Sequence, residues 1–250
     1  MLAVARKNAI REQLREHKSV RISTLAAELN VTNETIRRDL KEMENAGELI
    51  RTHGGAYIID GVENEIDITT RQVLKIAEKE ILAEKCDSLI QNGDHIFLDG
   101  STTCWFVARK IVNRRITVLT NSLEIAKILS VSDSVKLFMI GGEYVSRNLE
   151  FMGEGAIRML EHYYVDKALI SCRSVSMTRG ITDTNDNNAS IHRTVLSHAL
   201  TKYLVIDSSK LDGVSFSEAA PLEAIDAIIM DKDFPPEWKQ HLTKLGIRIY

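Results

Sequence analysis

The 250-residue chain is short of the residues that build unusual proteins. Its three cysteines, Cys86, Cys104 and Cys172, are an odd number, widely spaced, with no CxxC pair and no histidine at ligand spacing. A disulfide framework or a zinc site is therefore not expected, and a reducing compartment is. Only 3 prolines and 13 glycines, in a composition 44% hydrophobic and 27% charged, exclude a disordered or collagen-like chain. No apolar run approaches the ~20 residues of a membrane span. Residues 1–5 are too short for a signal h-region before Arg6 and Lys7 intervene. These absences point to a cytoplasmic protein without a membrane partner, a metal or an organic cofactor.

An excess of basic charge is also missing. The 32 Lys and Arg against 35 Asp and Glu leave a net charge of −3, which for the whole chain argues against a nucleic-acid partner, because phosphates are neutralised by surplus Lys and Arg. That average hides a division. Residues 1–58 hold 10 basic against 8 acidic side chains, and residues 59–250 hold 22 against 27. Between the halves, residues 59–75 carry several acids, a lone glycine and no apolar period. The length suits two ordinary domains, and the expected organisation is a head over 1–58, a linker over 59–76 and a larger domain over 77–250.

In the head, Ala9, Ile10 and Leu14 share one helix face, and Ser23 reads as the N-cap of a second helix reaching Leu29. Thr32 or Asn33 caps a third helix with apolar positions at Ile36, Leu40 and Met43, and Gly47 stops it. Residues 48–59 are β-branched and aromatic around Gly54-Gly55, the spacing of a hairpin. Three helices and a hairpin make a winged helix-turn-helix. On the third helix, Ile36 and Leu40 face inward, leaving Asn33, Glu34, Thr35, Arg37 and Arg38 for solvent. A polar first turn followed by paired arginines suits a helix in the DNA major groove. Arg37 and Arg38 stand about 100° apart, so one can meet a base edge and the other a phosphate. The plainer alternative is a solvated helix with an Arg38–Glu42 ion pair. Asp39 is expected to orient a guanidinium or to tie the helix to its neighbour. His53, at the wing tip, either meets a phosphate or only forms the turn.

The larger domain alternates differently. Short β-rich runs at 96–98, 116–119, 135–140, 168–170, 203–206, 227–230 and 247–250 are separated mostly by helical segments, the pattern of an α/β domain with a mainly parallel sheet. Ligands of such sheets collect beyond the carboxyl ends of the strands. Four segments fall there: Asp99-Gly100-Ser101-Thr102-Thr103, Thr120-Asn121-Ser122, Gly141-Gly142, and Asp207-Ser208-Ser209-Lys210. Glycine and hydroxyl residues opening a helix present free N–H groups and the positive end of its dipole, which suits a small anion. Lys210 adds a point charge. Ordinary turn chemistry explains each segment singly; their recurrence at strand ends favours the ligand.

Both halves resemble the DeoR family of bacterial transcriptional regulators. In the head the resemblance rests on Arg6, Ile10, Leu14, Val20-Arg21-Ile22, Leu25-Ala26, Val31-Thr32, the run Thr35-Ile36-Arg37-Arg38-Asp39-Leu40, and His53-Gly54-Gly55-Ala56. Thr32 stands where the family usually has Ser and keeps the capping hydroxyl. In the larger domain it rests on the Asp99 motif, Thr120-Asn121, Gly141-Gly142 and Asp207-x-Ser209-Lys210, in that order, with Arg71 and Lys79 before them. The resemblance implies a DNA-binding repressor of a carbohydrate-catabolism operon. Its sensor domain, similar in fold to sugar-phosphate isomerases, would bind a phosphorylated sugar or polyol, with Lys79 facing the same pocket. It also implies a homodimer or homotetramer on double-stranded operator DNA. This chain departs at Ser101, where many members have Gly, and at Asn188 and His192, which replace the usual Glu and Lys. Arg173 and His192 are the candidates for compensating positive charge. Cys104-Trp105 resembles the fucose-operon repressor subgroup. The alternative reading is a sugar-phosphate isomerase with Asp99 or Asp207 as its base; the head gives such an enzyme no evident use, so no catalytic residue is expected.

Overall fold

A computed structural model describes residues 2–46, 48–52, 54–58 and 68–250. They form two compact units, Met1–Leu74 and Lys75–Tyr250. The expected helix stop at Gly47, the wing-tip His53 and the end of the hairpin at Ile59 lie outside the described residues.

In the first unit α1 (Ala3–His17) presents Ile10 and Leu14 to a core that α2 (Ile22–Glu28) and α3 (Asn33–Asn45) close with Leu25, Ile36, Leu40 and Met43. The Thr32 hydroxyl caps α3, accepting from the Thr35 N–H at 3.2 Å. Ser23 is not a cap. The helix starts two residues earlier, with Arg21 at the N-cap position and Ser23 inside the first turn. The cause is a strand that the helical reading overlooked: β1 (Ser19–Arg21) pairs antiparallel with β3 (Gly55–Tyr57), which pairs in turn with β2 (Ile50–Arg51). The wing is thus three-stranded.

Arg21 lies opposite Gly55 in that register, and a Cβ on Gly55 would stand 1.9 Å from the Val20 carbonyl oxygen. Gly54 has open space around it. Gly55→Ala is therefore expected to cost the first unit about 3 kcal/mol, the upper end for forced overpacking. Gly54→Ala is expected to stay within about 0.5 kcal/mol. Thermal melts of the two variants check this, and equal melting temperatures would remove the steric explanation. A further short helix, α4 (Ile68–Gln72), lies in the stretch read as linker. Ile68 and Thr70 are buried, and Thr69 accepts a hydrogen bond from the Arg21 guanidinium.

The second unit is built on seven parallel strands in the order β15-β14-β12-β9-β4-β5-β6. These are β4 (His95–Leu98), β5 (Thr117–Thr120), β6 (Lys136–Met139), β9 (Val165–Ile170), β12 (Ala199–Ile206), β14 (Ala227–Met230) and β15 (Arg248–Ile249). Each corresponds to one of the seven β-rich runs. Alternate side chains face opposite ways. Ile96, Leu98, Val118, Val205 and Ile229 pack under α5 (Ile76–Leu89), α6 (Thr102–Ile111) and α7 (Leu123–Leu129). Phe97, Leu119, Ile170, Ile206 and Ile228 pack under α8 (Gly153–Leu160), α9 (Asp186–Ser197) and α10 (Pro236–Lys244). A sheet with both faces covered explains the near-continuous apolar runs.

Two antiparallel additions were not legible in the sequence. One is the hairpin β7 (Glu143–Val145) and β8 (Glu150–Met152); the other is a three-stranded sheet of β10 (Ser174–Ser176), β11 (Gly180–Asp183) and β13 (Ser217–Ala220). The chain order β4, β5, β6 runs one way across the main sheet, and β9, β12, β14, β15 runs the other. The direction reverses between β4 and β9. Such a reversal opens a crevice beyond the strand carboxyl ends, where open α/β sheets bind ligands.

Candidate functional site

On α3 the outward residues are those the sequence singles out. Asn33, Glu34, Arg37 and Arg38 are exposed and Thr35 is half-buried. Glu34 and Arg37 form an ion pair at 3.2 Å. The alternative Arg38–Glu42 pair does not form, because Glu42 is held by Lys7 of α1 at 2.6 Å. Arg38 has no ion-pair partner among the described residues. Lys41, which belongs to no recognisable motif, is exposed one turn further along the same side and is likewise without such a partner among the described residues. Asp39 faces inward and ties α3 to α1. Its carboxylate, 1% exposed, takes both the Nε and an Nη of Arg6, the latter at 2.9 Å. The Asp39 hydrogen bond holds the Arg6 guanidinium even more firmly protonated, against a smaller opposing effect of burial.

In the second unit, Asp99 stands at the reversal between β4 and β9. Oδ1 accepts from the Ser101 N–H at 3.0 Å, and Oδ2 accepts from the Ser171 N–H at 2.7 Å. His192 of α9 approaches with Nε2 at 3.1 Å from Asp99 Oδ2. The other ring nitrogen, Nδ1, lies 3.0 Å from Asp183 Oδ2, an ion-pair contact rather than an aligned hydrogen bond. Burial disfavours the charged ring, but the two carboxylates outweigh it and push its pKa up to about 10. Burial likewise raises Asp99, and His192 with the Ser101 and Ser171 bonds reverses this, so Asp99 ends below the usual carboxylate range. His192, a candidate for compensating positive charge, is thus a buried imidazolium between two aspartates.

Beside Asp99, α6 begins. Ser101 caps it, its hydroxyl accepting from the Cys104 N–H at 3.1 Å. The next two residues, Thr102 and Thr103, are 5% and 4% exposed, and their N–H groups find no acceptor among the described residues. Buried backbone donors are nearly always paired in proteins. Two unpaired ones at the positive end of a helix make a cradle for an oxyanion. Gly100 is packed against Glu150, whose carboxylate would clash with a Cβ there at 1.9 Å. Beyond the end of β9, the Lys210 ammonium donates to the Cys172 carbonyl at 2.6 Å. Cys172 itself is buried at this strand end.

The remaining strand-end residues are more committed to structure. Thr120 Oγ1 accepts from the Ser122 N–H at 3.1 Å, and Ser122 caps α7. Asn121 donates to the Phe151 carbonyl at 3.2 Å, while its own buried Oδ1 has no partner among the described residues. Gly141 and Gly142 follow β6, two strands from β4; a Cβ on Gly142 would meet the Met152 carbonyl at 2.4 Å. Lys79 is not a solvated helix lysine: it is 5% exposed, with Nζ 5.9 Å from the Phe106 ring centre. Lys75, which fell within the expected linker, bonds Asp207 at 2.5 Å and also Ser209. Burial raises Asp207, but Lys210, Lys75 and Ser209 overcome this and hold it at about 2. Neither Lys75 nor Asp183 carries a sequence motif; only the fold brings them to the strand ends.

These observations define a class of protein: a winged helix-turn-helix with an exposed arginine helix, followed in the chain by an α/β unit whose crevice offers unpaired N–H groups and a basic side chain. Residues 6–62 match the DeoR-like helix-turn-helix domain, and residues 74–232 match the DeoR C-terminal sensor domain. The chain belongs to the DeoR family of transcriptional regulators. It is 34% identical over 249 residues to the HTH-type transcriptional regulator YulB of Bacillus subtilis, covering 100% of this chain and 96% of that one. It is 33% identical over 234 residues to the lactose phosphotransferase system repressor of Staphylococcus aureus, covering 92% of each. Among solved structures, ribose 5-phosphate isomerase A of Methanocaldococcus jannaschii shares a TM-score of 0.40 at 18% identity over 53% of each chain. No helix among the described residues is long and apolar enough to cross a membrane.

Proposed function

We propose that the protein is a cytoplasmic repressor of a carbohydrate-catabolism operon, relieved by a phosphorylated sugar or polyol. In this reading residues 1–58 read operator DNA, 59–76 connect, and 77–250 sense the effector and build a homodimer or homotetramer. On α3, Asn33, Glu34, Thr35, Arg37 and Arg38 face the major groove, with Thr32 fixing the helix start and His53 reaching the backbone from the wing. Symmetric operators call for paired heads about 34 Å apart.

The observation that carries the sensing half is the pair of unacceptored Thr102 and Thr103 N–H groups beside Asp99. A phosphate on this cradle would place the rest of a sugar against Asp99 and the β9 end, with Lys210 supplying positive charge. An isomerase is less well supported, because a general base works best with a pKa near the operating pH. Asp207 is held at about 2 by its lysines, and Asp99 lies below its usual range beside His192.

Thr102→Pro gives a sharp test. Proline is tolerated at the first helical position, and Ser101 before it already has the extended backbone (φ −67, ψ 151) that proline demands. The variant loses one N–H and keeps the helix. Gel-shift assays with a panel of sugar phosphates are expected to show wild-type operator retention and at least a tenfold weaker inducing response, since a hydrogen bond to a charged group contributes about 1.5–3 kcal/mol. A normal response would place the phosphate elsewhere, and turnover of a sugar phosphate without operator binding would replace the repressor reading altogether.

A further inference from the structure

Three backbone N–H groups beyond the carboxyl ends of β4 and β9 donate to two buried carboxylates, and both carboxylates face one side chain. Asp99 accepts from Ser101 on the β4 side and from Ser171 on the β9 side, and Asp183 accepts from Arg173 at 3.1 Å. Asp99 and Asp183 are 4% and 6% exposed, and His192 between them is 5% exposed. Resting on the sensor reading above, we propose that His192 is the positioning residue of the crevice: it holds Asp99 and Asp183 in place, and through them the loops that begin α6 and follow β9.

The argument is one of charge and geometry. Two carboxylates taken out of water beside each other repel and lose their hydration, so a cation between them is needed for both to stay ionised. An ionised carboxylate accepts from N–H groups more strongly than a neutral acid. Without the cation, one aspartate would take a proton and present an O–H where the backbone presents N–H. The Nε2 contact is aligned, and the Nδ1 contact is close but unaligned, so the charge of the ring matters more than its second hydrogen bond. His192 itself need not touch the effector. It acts on the cradle through Asp99 and the Ser101 N–H, one residue before Thr102.

The substitutions His192→Gln and His192→Lys separate charge from shape. In full-length protein, hydrogen–deuterium exchange is expected to speed up at least tenfold at Ser101 and Ser171 in His192→Gln, and to stay near wild type in His192→Lys. Rates within α1–α3 should be unchanged in both. A merely space-filling role would produce the opposite order, since Gln is closer to the ring in size than Lys. The thermal shift given by a panel of sugar phosphates is expected to fall in His192→Gln and recover in His192→Lys. If wild type responds to a sugar phosphate and His192→Gln responds equally, with slow exchange at Ser101 and Ser171, the positioning role is wrong. If no sugar phosphate shifts wild type, the sensor reading fails, while the exchange data still decide whether His192 holds the loops. Should His192→Gln not fold, His192→Lys alone decides: wild-type exchange supports the role, and fast exchange overturns it.

Discussion

Arg38→Ala is expected to abolish specific operator retention while leaving the α/β unit folded. Arg38 projects from α3 into solvent with no ion-pair partner among the described residues, whereas Arg37 next to it is engaged by Glu34. An arginine already paired must exchange that partner for DNA; Arg38 need not. One bidentate arginine–base contact contributes about 1–3 kcal/mol of discrimination. With two heads on a symmetric site the loss doubles to about 2–6 kcal/mol, or roughly thirtyfold and upward in affinity. Arg37→Ala is expected to weaken retention less. Gel shifts at one fixed salt concentration measure both, because phosphate contacts alone change affinity steeply with salt. Wild-type retention by both single variants would remove α3 from the DNA.

The second large effect belongs to the buried pair beneath that helix. Asp39→Ala leaves the Arg6 guanidinium, 5% exposed, without the carboxylate that holds both its Nε and Nη. Breaking one side of a buried ion pair costs about 3–5 kcal/mol. A unit of some seventy residues holds only about 4–10 kcal/mol in total, at 0.05–0.15 kcal/mol per residue. The variant is therefore expected to unfold the head near room temperature while the second unit melts as in wild type. Replacing both partners together, Arg6→Met with Asp39→Leu, is expected to recover most of the stability. Two separate melting transitions would register this, and a head transition unmoved by Asp39→Ala would show that the pair is not structural.

How much of this was readable beforehand depended on the range of the interaction. The seven β-rich runs and the α3 pattern are local, set by periodicity within a few residues, and each appears where expected. Ser19–Arg21 failed because a three-residue strand has no period of its own; it exists only through its pairing with Gly55–Tyr57, more than thirty residues away. The hairpin Glu143–Met152 and the small sheet around Gly180–Asp183 are likewise built of strands of three or four residues, too short to show a period of their own even where their pairing is local. At the crevice, the Asp99 and Lys210 segments were recognisable by their turn chemistry. The role of His192 was not, because its partners come from the end of β4 and from β11, and only the fold joins them. Asp39 was legible as a choice between two uses, and its geometry with Arg6 decides for the one internal to the head.

The three cysteines have a practical consequence of another kind. All of them lie in the second unit, all are buried, and burial raises each thiol above its usual range. Thiolates are the reactive form, so a folded second unit should ignore alkylating reagents, and the head has no thiol to react. Labelling kinetics of the natural chain then act as a clock for openings of one unit alone, without any introduced probe. Any small molecule that lengthens that clock binds the closed form of the α/β unit, whether or not operator DNA is present.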